Sequence, residues 1–279
     1  MPVVLITGCS SGFGLLSAVS LAKQGAQVFA TMRNPARDAA LRQACAEAGV
    51  SVDVLQLDVT DPPSIAAAVA SVIERAGRID VLVNNAGVGG LAPVEEWRDD
   101  EILRLFDTNV FGLIRVTREV LPHMRAQRSG RIVNIGSLAG VVSTPFRAIY
   151  SATKHAVEAI TDGLYYELHP FGVHVCVVEP GFFATAIDQN YIPLRRDPAR
   201  SPYADLEQKF HAAMSGSAGS GNRADPQAVA DVIVQAATDE QPRRRYLAGK
   251  DAEAIAPMHK QMSDEDFERV MRQALNLWD

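Results

Sequence analysis

Val3-Val4-Leu5-Ile6-Thr7-Gly8-Cys9-Ser10-Ser11-Gly12-Phe13-Gly14 is the stretch on which the fold turns. Its apolar, β-branched start reads as a buried strand, and the segment from Gly14 to Gln24 carries apolar residues at helical spacing. Between strand and helix the glycines allow a turn tight enough to bring backbone N–H groups close to an anion at the helix start. A dinucleotide pyrophosphate is the anion such a turn accepts, which makes Gly8, Ser10, Ser11, Gly12, Phe13 and Gly14 candidate cofactor residues. The turn lacks the Gly-Lys-Ser/Thr ending of a P-loop, which sets a kinase or ATPase aside.

Outward from this unit the alternation repeats. Further strands are expected at Gln27 to Met32, Val52 to Gln56, Val81 to Asn84, Arg131 to Ile135, Val173 to Glu179 and around Tyr246 to Leu247. Helical spacing marks Ala36 to Ala48, Pro63 to Arg75, Asp99 to Arg125, Ile149 to Leu168 and Pro226 to Thr238. Asp61-Pro62-Pro63 and Asp225-Pro226 punctuate helix starts, since Asp caps exposed N–H groups and proline tolerates the first turn. The expected fold is α/β: a Rossmann-type, doubly wound parallel sheet of about seven strands flanked by helices.

A chain of 279 residues with 47% hydrophobic content fits one such domain, 1–279. Two departures are expected within it. Residues 182–223 end in Ser215-Gly216-Ser217-Ala218-Gly219-Ser220-Gly221, too polar and glycine-rich for a fixed element, and read as a mobile substrate lid after a strand end. Residues 251–279 read as a helical C-terminal extension with Ile255, Met258, Met262, Phe267, Val270 and Leu277 as packing positions. The run Arg243 to Arg245 reads as a solvated loop.

A net charge of -6 and a pI near 5.6 argue against a nucleic-acid partner. No window reaches the ~18 apolar residues of a spanning helix, so no integral membrane segment is expected. Cys9, Cys45 and Cys176 are too scattered for a disulfide framework, and a cytoplasmic location follows as the expectation. The six histidines show no metal-ligand spacing, so no metal is expected. Cys9 sits near a helix start, where a thiol can be activated, but reads better as a small loop-filling residue; His155 reads as packing.

The second strand ends Ala30-Thr31-Met32-Arg33, without the acid that receives the ribose hydroxyls of NAD. Arg33 instead offers a cation to the extra phosphate of NADP, with Ser11 as a hydrogen-bond donor, so NADP(H) is preferred and NAD(H) less favoured. Asp58 ends the third strand, placed to accept from an adenine amino group while Val59 packs on the ring.

Tyr150 and Lys154 are one turn apart at the start of a helix and project from one face. An ammonium beside a phenol stabilises the phenolate and pulls its pKa toward neutrality. Ser137 closes the strand before them, at the carboxyl edge where α/β sheets build their sites. Ser137 can hydrogen-bond a substrate oxygen, Tyr150 pass a proton, and Lys154 tune Tyr150 while holding a nicotinamide ribose. Asn109, in the expected helix Asp99 to Arg125, reads from spacing alone as a residue bonding to backbone.

With these residues in hand, the chain resembles the short-chain dehydrogenase/reductase family from Thr7 to about Leu247, and is similar within it to the NADP-linked hydroxysteroid and retinol dehydrogenases. The motifs are the Thr7 to Gly14 turn, Asp58, Asn84-Asn85-Ala86-Gly87, Asn109, Ser137, Tyr150 with Lys154, and Pro180-Gly181 followed by Thr185. The resemblance implies a catalytic set of Asn109, Ser137, Tyr150 and Lys154, with Asn109 holding a proton-relay water. It implies that Asn85, Ala86 and Gly87 support the sheet beside the cofactor, that Pro180 and Gly181 flank the nicotinamide, and that Thr185 contacts its carboxamide or phosphate. It also implies a homodimer or homotetramer built through the helices at Asp99 to Arg125 and Ile149 to Leu168.

The function expected is NADP(H)-dependent interconversion of a secondary alcohol and a ketone by hydride transfer. Val141, Val142, Pro145, Phe146, Phe182, Phe183, Tyr191 and Ile192 near the expected pocket suggest a bulky apolar, steroid-like or aromatic substrate. Two other readings stand beside it: a non-catalytic NADP(H)-sensing regulatory protein, and an epimerase or dehydratase of the same fold.

Overall fold

A computed structural model describes residues 1–183, 190–217 and 225–275. Seven parallel strands lie in the order β3-β2-β1-β4-β5-β6-β7. They are β1 (Val3–Ile6), β2 (Gln27–Met32), β3 (Asp53–Gln56), β4 (Val81–Asn84), β5 (Gly130–Ile135), β6 (Val173–Pro180) and β7 (Arg245–Ala248). The order reverses between β1 and β4, so the loops leaving their carboxyl ends diverge and open a crevice there.

Every residue of β1 is buried, because helices cover both faces of the sheet. Val4 and Ile6 pack with α1 (Gly12–Lys23), α2 (Ala39–Ala48) and α8 (Gln227–Thr238). Val3 and Leu5 face the opposite core, built on α3 (Pro62–Ala76) and on Val116 and Val120 of α5 (Gly112–Gln127). The period-2 geometry of a strand sends alternate side chains into the two cores.

One buried polar chain crosses the second core. Asn84 Nδ2 of β4 donates to Asn134 Oδ1 of β5 at 3.0 Å and to Thr117 Oγ1 of α5 at 2.9 Å. Asn134 Nδ2 donates in turn to Thr161 Oγ1 of α6 (Ala148–Leu168) at 2.9 Å. The pairing ties the two central strands to the two helices that carry the site.

Three sequence expectations change. The helix expected over Asp99 to Arg125 is α4 (Asp99–Phe106), a π-helical turn (Asp107–Phe111) and then α5. The break lies where Asn109 fastens to Val88 and Gly112 is pressed against Val59. Within 182–223, a 3-10 turn at Pro198–Arg200 leads into α7 (Ala204–Ser217). Leu206, Phe210 and Met214 recur every fourth residue and pack on Phe146 and Met271, a short amphipathic pattern masked by the serines and glycines beyond it.

That segment is also fastened by charge. Arg196, with 13% of its side chain exposed, bridges Glu96 and Glu207 at 2.5 Å each, and Arg195 bonds Glu101 through its backbone N–H at 2.8 Å. The Arg243 to Arg245 run is a solvated loop only in part: Arg243 is exposed, but Arg245 lies 3.1 Å from Glu158 and 3.2 Å from Glu179, and Arg244 2.5 Å from Asp162. Strand β7 carries Arg245 against two acids, Glu158 and Glu179, that α6 and the sheet have buried.

The tail forms α9 (Lys250–Gln261) and α10 (Asp264–Leu275), with Ile255, Met258, Met262 and Phe267 packed as expected. Leu277 lies outside the described residues. No described helix is long and apolar enough to cross a membrane.

Asn134→Ala leaves the Asn84 amide and the Thr161 hydroxyl without their buried partner, which costs about 1–3 kcal/mol of unfolding free energy. Urea unfolding should show a lower midpoint at unchanged slope. An unchanged midpoint would mean the polar chain contributes nothing to stability.

Candidate active site

The ends of β1 and β4 are locked together before any ligand is considered. Thr7 Oγ1 accepts from the backbone N–H groups of Asn85 and Ala86, each at 3.0 Å. Asn85 Nδ2 donates back to the carbonyls of Thr7 at 2.9 Å and Gly8 at 3.1 Å. A Cβ on Gly14 would collide with that amide and with the Gly8 carbonyl, so the first turn of α1 can sit this close only with glycine there.

Gly8 and Gly12 have φ of 76° and 59°, the left-handed region open to glycine at no steric cost. Ser11 is the N-cap residue of α1 in extended backbone, yet its hydroxyl makes no capping bond. The first N–H groups of α1 therefore keep their donors for an anion, and a Cβ at Gly12 would meet only open space. These features fit a dinucleotide phosphate group held by Gly8, Ser10, Ser11, Gly12, Phe13 and Gly14. Phe13 turns its ring edge toward Phe183, centroids 6.0 Å apart, linking this turn to the loop after β6.

Cys9 fills the underside of the turn. It is buried, its backbone N–H donates to the Thr31 carbonyl at 2.8 Å, and burial pushes its thiol up to about 12. The helix start does not activate it, because the thiol faces the core.

Arg33 is exposed at the end of β2, directly after buried Met32. Asp58 accepts from the Thr60 backbone N–H at 2.9 Å and the Thr60 hydroxyl at 2.7 Å, so its carboxylate shapes the turn after β3. Val59 is buried beside Gly112.

Three side chains gather beyond β5, and a fourth, Asn109, bonds to Thr153 on the helix that carries two of them. Ser137 follows the strand, and its hydroxyl accepts from the Ala139 N–H at 3.1 Å while lying 3.4 Å from the Pro180 carbonyl. Tyr150 is 8% exposed and packs with Trp97, Leu105 and Ile192. Burial pushes its phenol up to about 12; the Arg147 charge and a hydrogen bond with Ser137 work the other way.

Lys154 Nζ lies 5.9 Å from the Tyr150 ring centroid but donates to the Ile135 carbonyl at 2.8 Å. Burial lowers Lys154 to about 8, with Glu158 opposing. Burial thus raises the Tyr150 phenol, against the pull toward neutrality expected from Lys154, and lowers the Lys154 ammonium.

Asn109 joins them from the π-helical turn. Its Oδ1 accepts from the Val88 N–H at 2.8 Å, and its Nδ2 donates to the Val88 carbonyl at 2.9 Å and to Thr153 Oγ1 at 3.2 Å. It bonds to backbone, as spacing suggested, but to the loop after β4 rather than to its own helix. Below the set, Glu158 is pushed up to about 8 and Glu179 also upward, chiefly by burial, with the Glu179 charge adding at Glu158 and Arg245 opposing at both.

Pro180 ends β6, and Gly181 donates from its N–H to the Ala248 carbonyl at 2.9 Å. The Asp251 carboxylate presses on Gly181 and accepts from the Phe182 N–H at 2.6 Å. Sequence reasoning missed Asp251, whose distant position carries no local signal, and Arg147, whose signal was available in its place one turn before Tyr150. Thr185 lies outside the described residues. The expected apolar wall is divided: Phe183 joins the core beside α1, Val142 packs with α9, Phe146 on Phe210, and Ile192 on Tyr150.

Residues 2–194 match the short chain dehydrogenase family model. Human 17-beta-hydroxysteroid dehydrogenase type 1 is 35% identical over 271 residues, 94% of this chain and 81% of that protein. Among solved structures, a variant of actinorhodin polyketide ketoreductase with NADPH is 32% identical with a TM-score of 0.77, covering 91% of this chain and 97% of that one. A short chain dehydrogenase/reductase from Burkholderia phymatum in complex with NAD is 28% identical with a TM-score of 0.80, covering 96% and 95%.

Gly14→Ala forces the α1 start away from Asn85. At about 1–3 kcal/mol for overpacking, nicotinamide fluorescence titration should show roughly tenfold weaker cofactor binding or worse. Wild-type affinity in this variant would show that the contact does not set the loop.

Proposed function

The chain belongs to the short-chain dehydrogenase family and is an oxidoreductase of alcohols and ketones, and from that premise we propose that it is NADP(H)-dependent and acts on a secondary alcohol or ketone with a largely apolar skeleton. The observation that carries the proposal is the meeting of Ser137, Tyr150 and Lys154 at the carboxyl end of β5, next to the glycine turn across the β1/β4 switch point.

The cofactor residues are Gly8, Ser10 to Gly14, Arg33, Asp58, Val59, Asn85 to Gly87, Pro180, Gly181 and Thr185, with Tyr150 and Lys154 at the nicotinamide end. When bound, the nicotinamide supplies or accepts the hydride. Ser137 holds the substrate oxygen, Tyr150 gives or takes its proton, Lys154 orients the ribose and faces Tyr150, and Asn109 keeps the loop after β4 in place for the proton path. Support for NADP comes from the exposed Arg33 and from the absence of an acid at the end of β2. Support for an apolar substrate comes from Ile192 beside Tyr150 and from the half-exposed Phe182.

Separate titrations with NADPH and NADH test the cofactor assignment. NADPH should bind more tightly, and Arg33→Ala should narrow the difference; NADH preference in the wild type would overturn the reading of Arg33. Tyr150→Phe should keep cofactor affinity and lower kcat by about 10²–10⁴. The phenolate is the form that accepts a proton, so alcohol oxidation should climb with rising pH, while ketone reduction, which uses the phenol, holds until the alkaline range. Near-normal turnover by the phenylalanine variant would remove Tyr150 from the chemistry.

A further inference from the structure

Arg147 stands at the N-cap of α6, one turn before Tyr150, so both side chains leave the same end of the helix. Its Nη2 donates to Tyr191 Oη at 3.2 Å, and its Cζ lies 5.4 Å from the centroid of the Phe182 ring. Its Nε is buried without an acceptor. Among the described residues no carboxylate reaches ion-pair distance of it, whereas Arg195, Arg196, Arg244 and Arg245 all have acids beside them. From three residues before Tyr150 at the start of the same helix, its charge is the first influence opposing the rise of the Tyr150 phenol.

A partly buried cation with unmet donors is costly unless a counter-charge arrives with a ligand. The planar guanidinium fork matches a carboxylate in geometry and charge. Phe182 and Tyr191 touch it, and Ile192 packs beside Tyr150, so the ligand presents an acid group to Arg147 and a carbon skeleton to these apolar neighbours.

We propose that Arg147 is the substrate-recognition residue for a carboxylate, and that the substrates are hydroxy or oxo acids whose acid group lies near the reacting carbon. The inference rests on the oxidoreductase reading above and narrows its substrate class from apolar to amphiphilic. In the reduction, the carbonyl carbon gains a hydride from the reduced nicotinamide, the carbonyl oxygen gains the proton of Tyr150, and the carboxylate is unchanged.

The test compares 3-hydroxydecanoate with its methyl ester as substrates for wild type, Arg147→Lys and Arg147→Met, followed by cofactor reduction. Binding of decanoate and methyl decanoate to the NADPH complex is read separately from nicotinamide fluorescence. Wild type should favour the acid, and Arg147→Met should lower kcat/KM for the acid by about 10- to 100-fold more than for the ester, the range of a charged hydrogen bond, since any change at the Tyr150 phenol is common to both substrates. Arg147→Lys should recover part of the loss, and NADPH affinity should stay the same in all three proteins.

Equal use of acid and ester by the wild type, an equal loss on both in Arg147→Met, or a loss of NADPH affinity would each overturn the proposal. The decanoate measurement separates it from the oxidoreductase reading. Arg147-dependent binding of decanoate without turnover would support the recognition site and count against the reaction, and turnover with decanoate binding indifferent to Arg147 would do the reverse.

Discussion

The site depends first on the reciprocal bonding of Thr7 and Asn85. Two donors from the loop after β4 converge on one threonine oxygen, and the asparagine amide returns two bonds to the carbonyls of Thr7 and Gly8. At the switch point the connections leaving the two strands diverge, so these bonds carry the junction of the two loops together with the Thr7 N–H bond to the Val83 carbonyl. The lock sets where Gly8 turns, how near α1 comes, and where the first N–H groups of that helix point. Glycine at Gly14 follows from this packing and not from any intrinsic helical preference, which would favour alanine.

The second organising feature is a dry polar column through the right half of the sheet. Asn84, Asn134, Thr117 and Thr161 bond to one another inside the core, with Asn84 Oδ1 left unpaired, and the cost of breaking these bonds fixes α5 and α6 against β4 and β5. On that platform Lys154 is held by the Ile135 carbonyl, with Glu158, Glu179 and Arg245 behind it. Dryness raises the proton affinity of Tyr150 and lowers that of Lys154, since burial disfavours whichever form is charged.

How far the site could be read in advance differs residue by residue. Tyr150 and Lys154 were legible because helical geometry turns a spacing of four into a shared face, and Ser137 because a strand end is visible in the pattern. Asn109 was legible as a residue but not in its surroundings: a π-helical turn depends on the partners that Val88 and Thr153 offer across the fold. Spacing placed Lys154 beside Tyr150 but carried no account of desolvation, which raises the phenol and lowers the ammonium. Arg196 and α7 were hidden by a polar, glycine-rich neighbourhood, although each is held by contacts with residues about a hundred positions away or by a four-residue apolar repeat.

By itself the sequence determined the alternation of strands and helices, the parallel sheet it requires, and the turn between β1 and α1. These follow from local rules: hydrophobic period, glycine conformation and helix-end chemistry act over a few residues. Only the tertiary structure decided that Arg147 meets Tyr191 and Phe182, that Asp251 from α9 clamps the loop at Gly181, that Arg245 turns inward to acids on α6 and β6, and that the apolar residues near the site belong to separate cores. Charge pairing and desolvation are set by what surrounds a group in space, and chain spacing does not encode those surroundings when the partners are tens to hundreds of residues apart.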